Sequence, residues 1–129
     1  MPEIFKLEII SPDKTIFKSD VSEVTIPSFE GLMGILKNHI PLVTFLRPGV
    51  IVIKSNNEIK NFFIEEGTVE FSNNTLLILS STAKDLENLS KTLINEMISD
   101  AREKIRNENI KDKEKYCLSY KIETLQEVS

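Results

Sequence analysis

The sequence predicts an all-β sandwich or flattened barrel of about 9 to 10 short antiparallel strands, followed by a C-terminal α-helical hairpin. Two observations carry this prediction. All four glycines and all five prolines lie before residue 68 of the 129 residues, and these residue types mark turns. After Thr82 the spacing of apolar residues changes from two to about 3.6, which is the period of a helix. We therefore expect a β-sandwich domain at residues 1–83 and a two-helix hairpin at residues 84–129.

Short apolar runs separated by turn residues indicate the strands. In the first run, residues 4–10, apolar side chains alternate with Lys6 and Glu8, as in a strand that is buried on one face. Pro12 then supplies the fixed φ angle that a type I turn favours. Further extended segments are expected at residues 15–18, 21–26, 33–36, 42–46, 50–54, 59–64, 68–71 and 75–80. This many short strands in 83 residues is typical of a sandwich or barrel.

Two of the connections have the composition of tight hairpin turns. Asn56-Asn57 and Asn73-Asn74 each separate apolar, strand-forming runs, and asparagine tolerates left-handed backbone angles better than most residues do. Connections this short join antiparallel neighbours, because a parallel pair needs a crossover of about a dozen residues or more. The sheets are therefore expected to be largely antiparallel.

A first amphipathic helix is expected after the last strand. Apolar residues recur every three or four positions from Leu86 to Ile105, while charged and amide side chains occupy the other side. This pattern predicts one helix of about six turns. Thr82 or Asp85 can cap it, and Asp85 is preferred because its carboxylate would also meet the positive end of the helix dipole.

A second helix is expected from about Asp112, after the interruption at residues 107–109. The side chains that it would bury are Leu118, Ile122 and Leu125. Tyr116 and Tyr120 stand one turn apart on an adjoining stripe. Two interpretations of the hairpin stay open. The helices either pack on each other and on the sandwich, or they form a detachable arm.

Charge and apolar run length exclude several kinds of protein. With a net charge of −4 and no basic cluster, the chain lacks the positive surface that binds nucleic acid or anionic lipid. Its longest aliphatic runs, 50–53 and 76–79, are far shorter than the roughly 20 residues that span a bilayer. No basic segment leads into an apolar stretch at the start, so no export signal is expected. The single cysteine, Cys117, suits a reducing compartment.

Catalytic and metal-binding patterns are sparse. His39 and Cys117 are single copies in different predicted domains, so no cluster of Cys and His ligands is expected. Glu65 and Glu66 are adjacent in an extended segment, which directs them to opposite faces rather than to one acid/base site. The Gly-x-x-Gly at residues 31–34 has no Gly-Lys-Ser/Thr after it, so it is not a phosphate-binding loop. A binding or mechanical protein without cofactor or metal is expected.

One segment carries a specific resemblance. In residues 28–53 an acidic residue precedes Gly-x-x-Gly-Ile, a short loop leads to His-x-Pro-Leu, and Pro-Gly opens a hydrophobic strand; the matching residues are Glu30, Gly31, Gly34, Ile35, His39, Pro41, Leu42, Pro48 and Gly49. This pattern closely resembles the signature of the epsilon subunit of bacterial rotary (F-type) ATP synthases, called delta in mitochondria. The order of the later segments, including the helical tail, is similar as well.

The resemblance implies a non-catalytic central-stalk subunit of the proton-translocating ATP synthase. Such a subunit couples rotation of the membrane-embedded c-ring to the gamma subunit, and so to ATP synthesis from ADP and phosphate. It lies peripherally on the cytoplasmic face of the bacterial inner membrane and reaches the membrane only through the complex. The resemblance also implies that the C-terminal helices could contact the catalytic alpha and beta subunits.

The resemblance further assigns roles to single residues. A c-ring-facing loop is expected at Glu30, Gly31 and Leu32. A gamma-facing set is expected at His39, Pro41 and Leu42. Structural turns are expected at Gly34, Pro48, Gly49 and Gly67. The family often has a second acidic residue where this chain has Leu32, so an apolar contact would replace an electrostatic one there.

The tail departs from the family pattern. Some bacterial relatives bind ATP through Ile/Leu-Asp-x-x-Arg-Ala, whereas residues 86–91 read Leu-Glu-Asn-Leu-Ser-Lys. Serine cannot supply the planar fork with which arginine holds phosphate, so ATP sensing is not expected. The second helix also ends early and has few basic residues, which predicts weak inhibition of ATP hydrolysis or none.

Two other functions stay open at this point. The same sandwich could serve a stand-alone regulatory adaptor that binds another protein and uses the helices as a switch, since a fold does not fix a function. A small enzyme that works through His39 is the third hypothesis.

Overall fold

A computed structural model describes residues 3–129, so Pro2, counted above among the turn markers, lies outside the described residues. The described residues form ten strands and two α-helices, which confirms the predicted fold class. The strands are β1 (Phe5–Ile10), β2 (Thr15–Val21), β3 (Glu23–Ser28), β4 (Gly31–Ile35), β5 (Leu42–Leu46), β6 (Gly49–Ser55), β7 (Glu58–Ile64), β8 (Gly67–Ser72), β9 (Thr75–Leu79) and β10 (Lys84–Asp85). The helices are α1 (Lys91–Ile105) and α2 (Asp112–Val128).

The strands form one continuous sheet that folds over on itself. Its order is β10-β7-β6-β3-β5-β8-β9-β1-β2, and β4 pairs with β3 outside this path. The two ends of the sheet approach each other, since the rings of Phe17 in β2 and Phe62 in β7 lie 5.4 Å apart. The enclosed core consists of the inward-facing aliphatic and aromatic residues of both layers, among them Leu7, Ile9, Ile26, Ile51, Ile64, Phe71 and Ile78. Burial of these side chains is the main favourable contribution to the sandwich.

One strand pair departs from the expected antiparallel arrangement. β1 pairs in parallel with β9, with Leu7 opposite Leu76 and Ile9 opposite Ile78. The expectation of antiparallel pairing applies to strands joined by short connections. Because most of the sandwich lies between β1 and β9 in the sequence, the chain can return in either direction, and a parallel pair is possible. The other strand pairs found in residues 3–129 are antiparallel.

The two asparagine hairpins are confirmed. Asn56 and Asn57 have φ angles of 43° and 68°, and Asn73 and Asn74 have φ angles of 51° and 54°. These values lie in the left-handed region that two-residue turns between twisted strands require. The register follows directly, since Ser55 pairs with Glu58 across the first turn.

The first helix begins later than the sequence predicts. Asp85 accepts a hydrogen bond from the Glu87 backbone N–H at 3.0 Å, but it caps only a short 3₁₀ helix, Leu86–Asn88. The α-helix starts at Lys91, where the Ser90 hydroxyl accepts from the Leu93 N–H at 3.1 Å. The delay has a physical cause, because Asp85 belongs to β10 and is tied to β7, so the chain cannot turn into a helix there.

The helices pack on each other and on the outer face of β7. A second apolar cluster joins Phe63 of β7 to Ile94 and Ile98 of α1 and Leu125 of α2. Leu118 and Ile122, which the sequence predicts to be buried, are only partly covered. The hairpin is therefore docked on the sandwich in this structure, with Phe63 at the centre of the contact.

Candidate partner-binding surfaces

The loop expected to face the c-ring is the tight turn between β3 and β4. Phe29 and Glu30 form its tip, and Ser28 pairs with Gly31 across it. Gly31 has a φ of +125°, which favours glycine, and its carbonyl accepts from the buried Ser28 hydroxyl at 2.6 Å. Leu32 follows with 71% of its surface exposed. The loop thus displays an apolar side chain on a fixed backbone.

Gly34 is not at a turn, contrary to expectation. It lies within β4 opposite Thr25, and a Cβ atom there would meet nothing within 4 Å. Neither its backbone angle nor its surroundings require glycine. The extended segment expected at residues 33–36 already included this position, so the strand prediction, and not the turn assigned to Gly34, agrees with the structure.

Gly49, Gly67 and Pro48 all lie where strands begin. A Cβ atom on Gly49 would come within 2.6 Å of the Pro27 Cβ, and one on Gly67 within 3.0 Å of the Leu79 carbonyl oxygen. Close approach of the Pro27 ring excludes a Cβ atom at Gly49 unless the chain shifts, and the Leu79 carbonyl leaves a tight fit at Gly67; backbone angle requires glycine at neither position. Pro48 precedes β6, and its carbonyl accepts from the Arg47 guanidinium at 2.9 Å.

His39 belongs to the connection between β4 and β5, at the opposite end of β4 from Gly31. Its Nδ1 lies 2.7 Å from the Ile40 carbonyl oxygen, and its ring meets Phe71 edge-on at 5.9 Å. Because a carbonyl only accepts, Nδ1 must carry the proton. Pro41 is exposed, and Leu42 begins β5 opposite Phe71. These residues form a corner in which the Ile40 carbonyl and the Phe71 ring hold the imidazole in place.

An exposed apolar face next to this corner was missed by the sequence analysis. On the outer side of β5, Val43 is 68% exposed and Phe45 is 61% exposed, and Ile40 just before the strand is 73% exposed. Leu79 continues the face across Thr68, which pairs with both Phe45 and Leu79. The available signal was that residues 42–46 carry apolar side chains on both faces, Leu42 and Leu46 on one and Val43 and Phe45 on the other, as in strands covered on both sides.

A cleft of about 660 Å³ lies where this face meets α2. Its lining includes Phe29, Phe45, Leu79, Lys113 and Cys117. β5 runs from the corner that holds His39 to Leu46, which also lines the cleft, so the strand separates His39 from Cys117. In residues 3–129 no group of three or more His, Cys, Asp or Glu side chains could hold a metal ion.

Several of the charged groups form ion pairs and hydrogen bonds within the chain. The Glu65 carboxylate lies 2.6 Å from the Lys121 Nζ, whereas Glu66 accepts from the Ser81 hydroxyl at 3.0 Å. Lys60 and Asp85 form an ion pair at 2.8 Å. The hydrogen bond from Lys60 lowers the pKa of Asp85, and the same bond raises the pKa of Lys60. This pair holds β10 against β7.

Neither helix of the described residues is long and apolar enough to be a candidate for crossing a bilayer.

Comparison with known proteins identifies the family. The model of the ATP synthase delta/epsilon chain β-sandwich domain matches residues 4–85. The ATP synthase epsilon chain of Pelagibacter ubique is 44% identical over 126 residues, covering 97% of both chains. That of Rhodospirillum centenum is 30% identical over 132 residues, covering 98% of this chain and 90% of the relative.

Solved structures share the whole fold. A chain of the Euglena gracilis mitochondrial ATP synthase matches 98% of this chain and 79% of its own length, with a TM-score of 0.76 and 22% identity. A chain of the Tetrahymena thermophila mitochondrial enzyme matches with a TM-score of 0.62 and 16% identity, covering 95% and 93% of the two chains. From the matched sandwich and the full-length relatives it follows that the chain belongs to the delta/epsilon family of ATP synthase subunits, as an epsilon chain.

Proposed function

We propose that the chain is the non-catalytic central-stalk subunit that couples c-ring rotation to the gamma subunit of the proton-translocating ATP synthase. The observation that carries the proposal is the exposed apolar face of β5 and β9 on a closely packed sandwich. A face of this kind marks a protein interaction site, because an isolated soluble domain gains nothing from exposing it. Torque transfer needs rigid contact rather than chemistry.

The gamma subunit is the proposed partner of the corner formed by His39, Pro41 and Leu42 and of the exposed face beside it. Leu42 itself packs against the core and supports the corner from inside. Val43 and Phe45 extend this set along β5, and each exposes more than half of its surface. An aromatic anchor among aliphatic neighbours is typical of the centre of a protein interface. The fixed imidazole of His39 supports a positioning role for this corner.

The c-ring is the proposed partner of the turn formed by Glu30, Gly31 and Leu32. Leu32 supports an apolar contact there, since most of its surface is exposed. The Tetrahymena relative comes from a structure described as central stalk and c-ring, which agrees with this proposal. Through these partners the chain would lie on the cytoplasmic face of the inner membrane.

The sandwich and the helical hairpin have different proposed roles. Residues 1–83 would bind gamma and the c-ring, and residues 84–129 would act at most as a weak regulator of ATP hydrolysis, in reach of the alpha and beta subunits. No nucleotide is expected on the helices. In support, Ser90 stands where ATP-binding relatives have arginine, and its hydroxyl is used to cap α1.

Copurification of the full chain with the gamma subunit tests the proposal. We expect a one-to-one complex that Phe45→Asp abolishes. Ile59→Asp is the matched control, because Ile59 is equally exposed, at 60%, but lies in the β6–β7 hairpin. Leu32→Asp should keep gamma binding and lower incorporation into the complete ATP synthase. A folded wild-type chain that does not bind gamma at micromolar concentration would overturn the proposal.

A further inference from the structure

The middle of α2, residues 116–121, is joined to the sandwich by three side-chain contacts. Tyr116 stacks on Phe29, with ring centroids 5.9 Å apart and planes 19° apart. The Arg47 guanidinium lies 4.1 Å from the centroid of the Tyr120 ring. Tyr116 and Tyr120 also meet edge to face at 4.8 Å, so the aromatic contacts form one chain from Phe29 to Arg47.

The third contact is an ion pair beside this chain. Lys121 and Glu65 lie 2.6 Å apart, and their side chains are only 14% and 27% exposed. An ion pair shielded in this way is screened by salt less than one on the open surface.

The three sandwich partners come from three different connections. Phe29 lies between β3 and β4, Arg47 between β5 and β6, and Glu65 between β7 and β8. The strand register brings these connections to one end of the sheet, because Ser28 pairs with Leu46 and Leu46 pairs with Gly67. About one and a half turns of α2 therefore contact these three connections, next to the loop that displays Leu32.

These three contacts lie between residues 116 and 121 of α2, which also packs on α1. The buried residues of α2, Thr124 and Leu125, lie in its C-terminal half, and the N-cap Lys111 makes no side-chain capping bond. The Phe29–Tyr116 stack is thus one of three side-chain contacts that join this segment of α2 to the sandwich.

Phe29 is shared between the helix and the partner-facing loop. It forms the tip of that loop with Glu30, and it remains 39% exposed while Tyr116 covers one side. A protein surface resting on the loop could contact the free side of Phe29 together with Leu32, without displacing Tyr116. The helix and a bound partner would then both restrain the ring of Phe29.

We propose that the Phe29–Tyr116 stack couples the docking of α2 to the partner-binding shape of the β3–β4 loop. The docked helix holds the loop ready for an apolar protein surface, and that surface, once bound, holds the helix on the sandwich. The effect is reciprocal, because two binding events that favour one conformation favour each other equally. The identity of the surface as the c-ring rests on the proposed function.

Hydrogen exchange of the isolated full-length chain tests the coupling directly. Tyr116→Ala should speed exchange of the loop amides 29–32 by about two- to tenfold, the range that loss of one aromatic pair gives. Phe29→Ala should speed exchange of α2 amides 113–121 to a similar degree. Tyr116→Phe keeps the stack and should restore wild-type loop exchange. Lys115→Ala is the matched control, since this exposed neighbour makes no contact with the sandwich among those described.

Hydrogen exchange in the assembled ATP synthase tests whether the bound partner stabilises the docked helix. In the complete complex the α2 amides of the wild-type chain should exchange more slowly than in the free chain, and Phe29→Ala should remove that protection. Unchanged loop exchange in Tyr116→Ala, in a chain whose β1 and β9 amides stay protected, would overturn the coupling. A wild-type chain that fails to enter the complex would overturn the proposed function instead, and the free-chain measurements would still decide the coupling.

Discussion

Asn38 and Asn74 exchange two hydrogen bonds across the surface of the sandwich. The Asn38 backbone N–H donates to the Asn74 side-chain oxygen at 2.7 Å, and the Asn74 amide donates to the Asn38 side-chain oxygen at 3.1 Å. Asn74 lies in the turn between β8 and β9, and Asn38 immediately precedes His39. The turn of one hairpin therefore fixes the corner that we propose faces gamma.

Asn74→Gly tests this connection. Glycine keeps the left-handed angle of 54° but removes both hydrogen bonds, so we expect a loss of about 1 kcal/mol of unfolding free energy. Amides 38–41 should exchange faster. Asn57→Gly, in the other hairpin with a φ of 68°, is the matched control. Equal stability of the two variants in urea would refute a structural role for the Asn38–Asn74 pair.

The glycines of the motif should differ in their tolerance of alanine. Gly49→Ala forces a Cβ atom against the Pro27 ring, so we expect destabilisation of about 1–3 kcal/mol. Gly34→Ala meets open space and should change the free energy of unfolding by less than about 0.5 kcal/mol. Thermal and urea unfolding measure both. A Gly49→Ala chain as stable as Gly34→Ala would contradict the close approach described here.

The Lys60–Asp85 pair should give stability a specific pH dependence. The pKa of Asp85 is lowered in the folded chain from an ordinary value of 3.8, so the folded state holds this proton less tightly than the unfolded state. Its contribution is then fully present above that ordinary value and is lost as pH falls through the lowered pKa. Lys60 behaves oppositely, since its raised pKa makes its contribution disappear only as pH rises above 10.5.

Asp85→Asn tests the part of this pH dependence that is due to Asp85 at low pH. Unfolding in urea from pH 3 to pH 7 should show a smaller rise in stability with pH than the wild-type chain shows. The control is Asp20→Asn on β2, an exposed carboxylate for which no ion pair is found in residues 3–129. If both variants keep the wild-type slope, the ion pair contributes nothing measurable.

ATP should not bind the helical hairpin. Titration of the full chain with ATP to about millimolar concentration should leave the amide shifts of residues 86–91 unchanged, because Ser90 offers phosphate no planar cation. Inorganic phosphate at equal ionic strength is the control for general salt effects. Saturable shifts in these residues below millimolar ATP would contradict the prediction.

A structural feature could be predicted from the sequence when it depends on residues that are close together in the chain. The alternation at Lys6 and Glu8 and the asparagine pairs predict strands and turns, because both depend on neighbouring residues. The start of α1 was wrong because the apolar spacing continues through Leu86 and Leu89, which pack beside the second apolar cluster from outside the α-helix. No residue close to Asp85 in the sequence indicates that Asp85 pairs with β7 and so cannot start the α-helix.

The candidate site was predicted in part, for the same reason. Dispersed motif residues indicated the loop at Gly31 and the corner at His39. Tyr116 and Tyr120 were found at helical spacing, but their partners Phe29 and Arg47 lie about 70 to 90 residues away and only the folded chain brings them together. The exposed apolar residues of β5 could have been found by weighing both faces of that strand.

The parallel pairing of β1 with β9 sets an order in time as well as in space. During synthesis the first strand can meet β2 at once, but its other neighbour does not exist until residue 79 has been made. Strand pairing over so long a chain separation is slow, and until then one edge of β1 presents unpaired backbone groups. Pairing of the first strand with the ninth therefore completes the sandwich. A chain that is released from the ribosome before β9 has been made would contain an incomplete sheet in which one edge of β1 is unpaired.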